Sequence, residues 1–136
     1  MSKRTVHILL SSTALILGGM IYVLFRENTY IAVFFRQIPP VFSLQNMLRS
    51  ANFAFLKFYF PDFLWGFSLC CALHAIFTPG LKGSILCCFA AVLCGAVWEG
   101  LQFCSLFSGT GDWWDVVMYF FAGICCLFIH NKERRK

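Results

Sequence analysis

The hydrophobic positions fall into four long, nearly uninterrupted runs, which cover 6–25, 63–77, 84–107 and 113–129. A helix that crosses a bilayer needs about 20 such residues. A transmembrane barrel would instead alternate apolar and polar positions in strands of about ten residues. Because the runs are continuous, the sequence predicts an all-α polytopic membrane protein with four transmembrane helices. The chain, 1–136, is expected to form a single membrane domain.

The segment between the first two runs has a different pattern. Pro39 and Pro40 would break a helix, and Ser43 is of a type that caps one. After Ser43 the apolar residues recur at three- and four-residue steps: Leu44, Met47, Leu48, Ala51, Phe55 and Phe58. This spacing predicts an amphipathic helix over about 41–58, which either lies on the outer interface as a lid or re-enters the membrane.

Composition and charge agree with a membrane protein. The chain is 60% hydrophobic and 12% charged, against about 45–50% and 25% in soluble domains. This excludes a disordered or nucleic-acid-binding protein and makes membrane lipids its expected partners. Placing the N-terminus inside leaves four basic residues on the outer side and collects seven on the cytoplasmic side: Lys3, Arg4, Lys82, Lys132, Arg134, Arg135 and Lys136. Both termini are therefore expected to be cytoplasmic.

The eight cysteines all lie within the predicted spans, and no C-x-x-C spacing occurs. Adjacent cysteines point in different directions on a helix, so small apolar packing is their expected role. His7, His74 and His130 lie near the predicted inner ends, away from the acidic residues. We therefore expect no convergent histidine or cysteine ligands and no metal site.

Four of the six acidic residues are predicted to meet in the outer half of the bundle: Asp62, Glu99, Asp112 and Asp115. The three aspartates lie at predicted helix starts, where an acid also stabilises the helix by itself. Glu99 lies about eight residues, roughly 12 Å, inside the third span. An acid in mid-span costs about 2.5–3.5 kcal/mol, so Glu99 is expected either to line a polar pocket or to make an interhelical hydrogen bond.

Two further residues extend this site. Gln102 lies one turn after Glu99 and Tyr119 one turn after Asp115, and antiparallel packing of the last two spans would bring them to similar depths. Gly95 would permit a close neighbour. No catalytic residue and no cofactor is expected. The predicted ligand-binding residues are Asp62, Glu99, Gln102, Asp112, Asp115 and Tyr119.

Several of these residues occur in a recognisable order: Trp-Glu-Gly-Leu-Gln at 98–102, an acidic turn at 109–115, and Gly123. Together with 61–65 at the second span they resemble the core of the VanZ-like membrane family, over about half the chain. The resemblance implies a small multi-pass protein of the bacterial cytoplasmic membrane. Named members of that family are associated with glycopeptide (teicoplanin-type) antibiotic resistance.

The favoured hypothesis is therefore an outward-facing acidic pocket that binds a polar or cationic ligand. A lipid head group, a cell-wall precursor or a glycopeptide would fit, in a resistance or envelope accessory role. The alternative is a proton- or cation-coupled transporter or channel subunit that uses Glu99. Four helices are few for a transporter, so that alternative requires a homo-oligomer. An enzyme is disfavoured because no nucleophile–base pair is visible.

Overall fold

The computed structural model describes residues 2–25, 54–77, 80–107 and 111–134, with the isolated positions 37, 43, 46 and 47. Within these residues the chain is helical and has no strand. The helices are α1 (Lys3–Phe25), α2 (Ala54–Phe58), α3 (Phe60–Phe77), α4 (Leu81–Phe103) and α5 (Trp113–Arg134). All but the short α2 are long and apolar enough to cross a membrane. The predicted all-α fold with four such helices is confirmed.

Three helices start earlier than the apolar runs indicate, and α1 and α3 show local reasons for it. In α1, the backbone N–H of Thr5 donates to the Ser2 hydroxyl over 3.1 Å, so Ser2 caps the helix and Lys3 begins it. α3 begins at Phe60 and includes Pro61 in its first turn. Proline fits there because the N–H that it lacks would have no partner within the helix.

α4 begins and ends earlier than the predicted span 84–107, and its last residue is Phe103. The Ser105 N–H donates to the Gln102 carbonyl over 2.9 Å, and the Leu106 N–H donates to the Leu101 carbonyl over 3.0 Å. Ser105 itself has a φ of 56°. This is a Schellman motif, which ends a helix by satisfying its last carbonyls. The prediction that the span reaches 107 is therefore wrong.

We expect Ser105→Gly to stabilise the protein slightly. A non-glycine residue in the left-handed region is strained by about 1–2 kcal/mol, and glycine removes that strain while making the unfolded chain more flexible. The net gain should be below about 1 kcal/mol, seen as a higher melting temperature in detergent. Ser105→Val should have the opposite sign, and a neutral result for both would contradict this account.

Most of the predicted amphipathic segment 41–58 lies outside the described residues. Its last part, Ala54–Phe58, is helical, and Phe55 and Phe58 are exposed there. Positions 78–79 and 108–110, which connect the last three long helices, also lie outside the described residues. Gly111, two residues before α5, lies directly against the Phe103 ring, where an added Cβ would be 2.8 Å from the ring carbons.

α1 packs antiparallel to α3 through small polar residues. The hydroxyls of Ser11 and Ser68 each donate to the other's backbone carbonyl over 2.9 Å. Closer to the other end, Gly18 lies against Leu64 and Trp65. Small residues let helix backbones approach closely, and serine hydroxyls then bond across the interface.

α3 and α5 run parallel, and α4 runs antiparallel to both. Tyr119 of α5 fits between two glycines: a Cβ on Gly66 of α3 would lie 2.9 Å from its ring, and a Cβ on Gly95 of α4 would lie 2.3 Å from it. The expected close neighbour of Gly95 is thus Tyr119. Further along, the core cluster consists of Cys70, Cys71, Cys88, Ala91 and Cys126.

The outer surfaces of the four long helices carry large apolar side chains. Ile16, Leu86 and Phe128 are 63%, 66% and 72% exposed, respectively. Such surfaces are typical of helices that face lipid. The four tryptophans are also exposed and lie towards the same end of the bundle as the acidic residues: Trp65, Trp98, Trp113 and Trp114. Tryptophan is enriched at the membrane–water interface.

Candidate functional site

Three carboxylates from three different helices meet near one end of the bundle. Asp62 comes from the first turn of α3, Glu99 from the last two turns of α4, and Asp115 from the first turn of α5. One oxygen of each lies within 4.8 Å of one oxygen of the other two. We call these three residues the carboxylate cluster. Asp62 and Glu99 are buried and Asp115 is half-buried, and three carboxylates this close favour a compensating positive charge, which a bound cation or a basic side chain can provide.

Tyr119 anchors the cluster to α5. Its hydroxyl donates to Asp62 Oδ1 over 3.1 Å, and both residues are buried. Because the Tyr119 ring is fixed between Gly66 and Gly95, this hydrogen bond holds Asp62 in one orientation. Asp62, Glu99, Asp115 and Tyr119 of the predicted site are therefore brought together.

Glu99 is closer to the helix end than the sequence suggested. Since α4 ends at Phe103, Glu99 lies about 6 Å from that end rather than the expected 12 Å. It is 3% exposed, and the backbone N–H of Asp112 donates to its Oε2 over 3.1 Å. The chain that enters α5 thus folds back over Glu99 and buries its carboxylate. Without this cover, a residue so close to the helix end would lie near the interface.

The other two predicted residues, Asp112 and Gln102, form hydrogen bonds with backbone groups. The Asp112 carboxylate accepts the N–H of Trp114 over 3.0 Å, so Asp112 is the N-cap of α5, which is the helix-stabilising role that the sequence also allowed. Gln102 is half-buried, and its backbone carbonyl accepts the N–H of Ser105 at the end of α4. Their carboxylate and carboxamide groups are not part of the carboxylate cluster.

A groove of about 430 Å³ lies beside the carboxylate cluster. Its lining comes from all four long helices and includes Leu15, Leu69, Ala91 and Tyr119. Tyr119 lines this mostly apolar groove, and its hydroxyl is bonded to Asp62. The volume is in the range of small-molecule sites, about 300–1,000 Å³.

A second polar cluster, which the sequence did not predict, lies at the opposite end. His7, His74 and His130 are 2%, 1% and 6% exposed. Two groups of possible metal ligands occur here, and in each the three ligand atoms lie within 4.8 Å of one another. The first group is His7, Cys71 and Cys126, and the second is His74, Cys88 and Cys126. The expectation of no convergent histidines and cysteines is wrong, because these residues converge from different helices. We call the three histidines with these three cysteines the His–Cys cluster.

The comparisons with known proteins give no relative for this chain. No protein-family model, no curated protein and no solved structure matches it. The resemblance to the VanZ-like family therefore stays a prediction, and the geometry of the two clusters carries the functional argument.

Proposed function

We propose that the protein is a VanZ-like membrane protein whose carboxylate cluster binds the cationic head group of a lipid or lipid-linked molecule. In this proposal it sits in the bacterial cytoplasmic membrane with both termini inside, so the cluster faces outward. The observation that carries the proposal is the approach of three carboxylates, from α3, α4 and α5, to within 4.8 Å of one another.

The surroundings of the cluster support a ligand that comes from the membrane. The exposed tryptophans indicate that this end lies at the level of the lipid head groups. The apolar groove that reaches Tyr119 runs from this level into the bundle and offers a place for an acyl or polyprenyl chain. An amine or guanidinium at the head of such a chain would lie against Asp62, Glu99 and Asp115.

Glu99→Gln is expected to weaken binding of a cationic lipid about tenfold or more. The substitution keeps size and hydrogen-bonding capacity but removes one charge, and a hydrogen bond to a charged group contributes about 1.5–3 kcal/mol. The measurement is quenching of tryptophan fluorescence in nanodiscs by a long-chain amine with a brominated tail. A long-chain alcohol with the same brominated tail, which carries no cation, corrects for non-specific contact.

The matched control is Glu133→Gln, at the opposite end of α5, which should bind the amine like the wild type. Equal affinities of the wild type and Glu99→Gln would refute the proposal. Amine-independent cation flux in vesicles that Glu99→Gln abolishes would instead support the transporter alternative.

A further inference from the structure

The His–Cys cluster contains all three histidines of the chain, each from a different helix. The ring of His7 on α1 lies 5.2 Å from that of His74 on α3 and 5.6 Å from that of His130 on α5, and the last two are 4.8 Å apart. Polar rings in an apolar interior need hydrogen bonds or a metal ion to offset the loss of water. This concentration of imidazoles therefore calls for a specific chemical role.

His74 is oriented by hydrogen bonds at both ring nitrogens. Its Nδ1 lies 2.7 Å from the Cys70 carbonyl oxygen, and its Nε2 lies 2.6 Å from the Ser84 hydroxyl. Because a carbonyl only accepts, Nδ1 carries the proton and the Ser84 hydroxyl donates to Nε2. The same Nδ1 lies 3.6 Å from the Cys126 sulfur. The single Nδ1 proton already bonds the Cys70 carbonyl, so His74 packs beside that sulfur without donating to it.

His7 and His130 face each other through His7 Nε2 and His130 Nδ1, which lie 3.4 Å apart. Two imidazole nitrogens at this distance either share a proton or bind one metal ion in its place. Among the described residues, no group of three mutually close metal ligands contains both rings, so this contact is a hydrogen bond between the two imidazoles.

The neighbouring sulfurs have the separation of two zinc ligands. Cys71 Sγ and Cys126 Sγ lie 3.7 Å apart, and both cysteines are fully buried. Two sulfurs bound to tetrahedral zinc at about 2.3 Å would be about 3.8 Å apart. A ligand atom of His7 lies within 4.8 Å of both sulfurs, so one imidazole nitrogen and two sulfurs can reach a common ion.

We propose that the His–Cys cluster binds one zinc ion through His7, Cys71 and Cys126, which leaves the fourth position of a tetrahedral ion for water. Zn²⁺ with two thiolates and a neutral imidazole is electroneutral, which favours it where charges are poorly solvated. Binding releases one proton from each thiol and leaves His7 neutral, with its proton on the ring nitrogen that does not bind zinc. The ion would join α1, α3 and α5 at the end where Lys3 and Lys132 lie.

The test uses the full-length protein in detergent, stripped with a chelator and titrated with Co²⁺ as a probe for zinc. The wild type should take up one equivalent, with thiolate-to-cobalt charge-transfer absorption and the intense visible bands of tetrahedral Co²⁺. Zn²⁺ should then abolish both. Protein purified without chelator should contain zinc by mass spectrometry, and copper in its place would overturn the assignment.

Cys126→Ser should lose roughly half of the charge-transfer absorption, since the Cys71 thiolate remains, and should bind zinc about a hundredfold or more weakly, since one thiolate ligand is lost. Cys125→Ser changes the adjacent, exposed cysteine and should bind like the wild type. If Cys126→Ser does not fold, the wild-type spectrum decides, because cobalt bound without thiolate absorption refutes the site. Glu99→Gln should keep full zinc binding, so failure of this proposal is distinguishable from failure of lipid binding.

Discussion

Gly95→Ala is expected to destabilise the protein by about 3 kcal/mol, the upper end of the usual cost of overpacking. The new Cβ would lie 2.3 Å from the Tyr119 ring, a distance that real side chains do not adopt. The ring cannot retreat, because Gly66 bounds its other side, with an added Cβ there at 2.9 Å. Tyr119 must therefore move and loosen its hydrogen bond to Asp62. Thermal unfolding in detergent measures the effect.

Gly100→Ala is the matched control on the same helix, because an added Cβ at Gly100 meets nothing within 4 Å. Alanine in a helix is favoured over glycine by about 0.5–1 kcal/mol, so this variant should be neutral or slightly stabilised. In the Tyr119→Ala background, Gly95→Ala should lose most of its cost, since the clashing ring is gone. Additive effects of the two changes would contradict the clash.

His74→Ala is expected to cost about 3 kcal/mol in the presence of a chelator, so that no metal contributes. The ring is 1% exposed, and its loss leaves a cavity. The buried Ser84 hydroxyl and the Cys70 carbonyl also lose their described side-chain partner, which adds the cost of unsatisfied polar groups. The stability is measured by thermal unfolding in detergent at constant detergent concentration.

Ser84→Ala separates the hydrogen bond from the packing of the ring. It keeps the imidazole but removes the hydroxyl that donates to Nε2, so it should cost about 1–2 kcal/mol. Should Ser84→Ala destabilise the protein as much as His74→Ala, the packing of the ring would contribute nothing and this interpretation would be wrong.

Much of the fold follows from local sequence patterns. Continuous apolar runs predict the number and order of the long helices, because bilayer thickness alone sets the length that they need. Short-range signals also identify the first-turn position of Asp62, the cap at Asp112 and the small residue at Gly95. Each of these depends on neighbours within a few residues, which the sequence displays directly.

The end of α4 was harder to predict because its signal is unusual. A Schellman motif is commonly marked by glycine, whereas here Ser105 takes the left-handed conformation. Hydropathy continues through Leu106 and Phe107, so the apolar run extends past the helix. A helix that reaches 107 places Glu99 in mid-span and therefore overstates the depth at which its carboxylate lies.

The His–Cys cluster needed information that one sequence does not contain. The depths of His7, His74 and His130 were predicted to be similar, but which helix faces meet depends on the rotation of each helix about its axis. Helices that are apolar nearly all round, as α3 is, give no periodic signal for that rotation. Two cysteines that are adjacent in sequence do not form a chelating pair on one helix. Cys71 and Cys126, however, meet across the interface between two helices.

The parallel packing of α3 and α5 aligns the dipoles of these two helices, whereas α1 and α4 run in the opposite direction. Asp62 and Asp115 therefore lie in first turns, at positive dipole ends, where acidic side chains are favoured. Glu99 lies in the last turns of α4, near a negative dipole end. Of the three carboxylates, Glu99 is thus the one that its own helix does not stabilise, and the backbone N–H of Asp112 is the donor that compensates it.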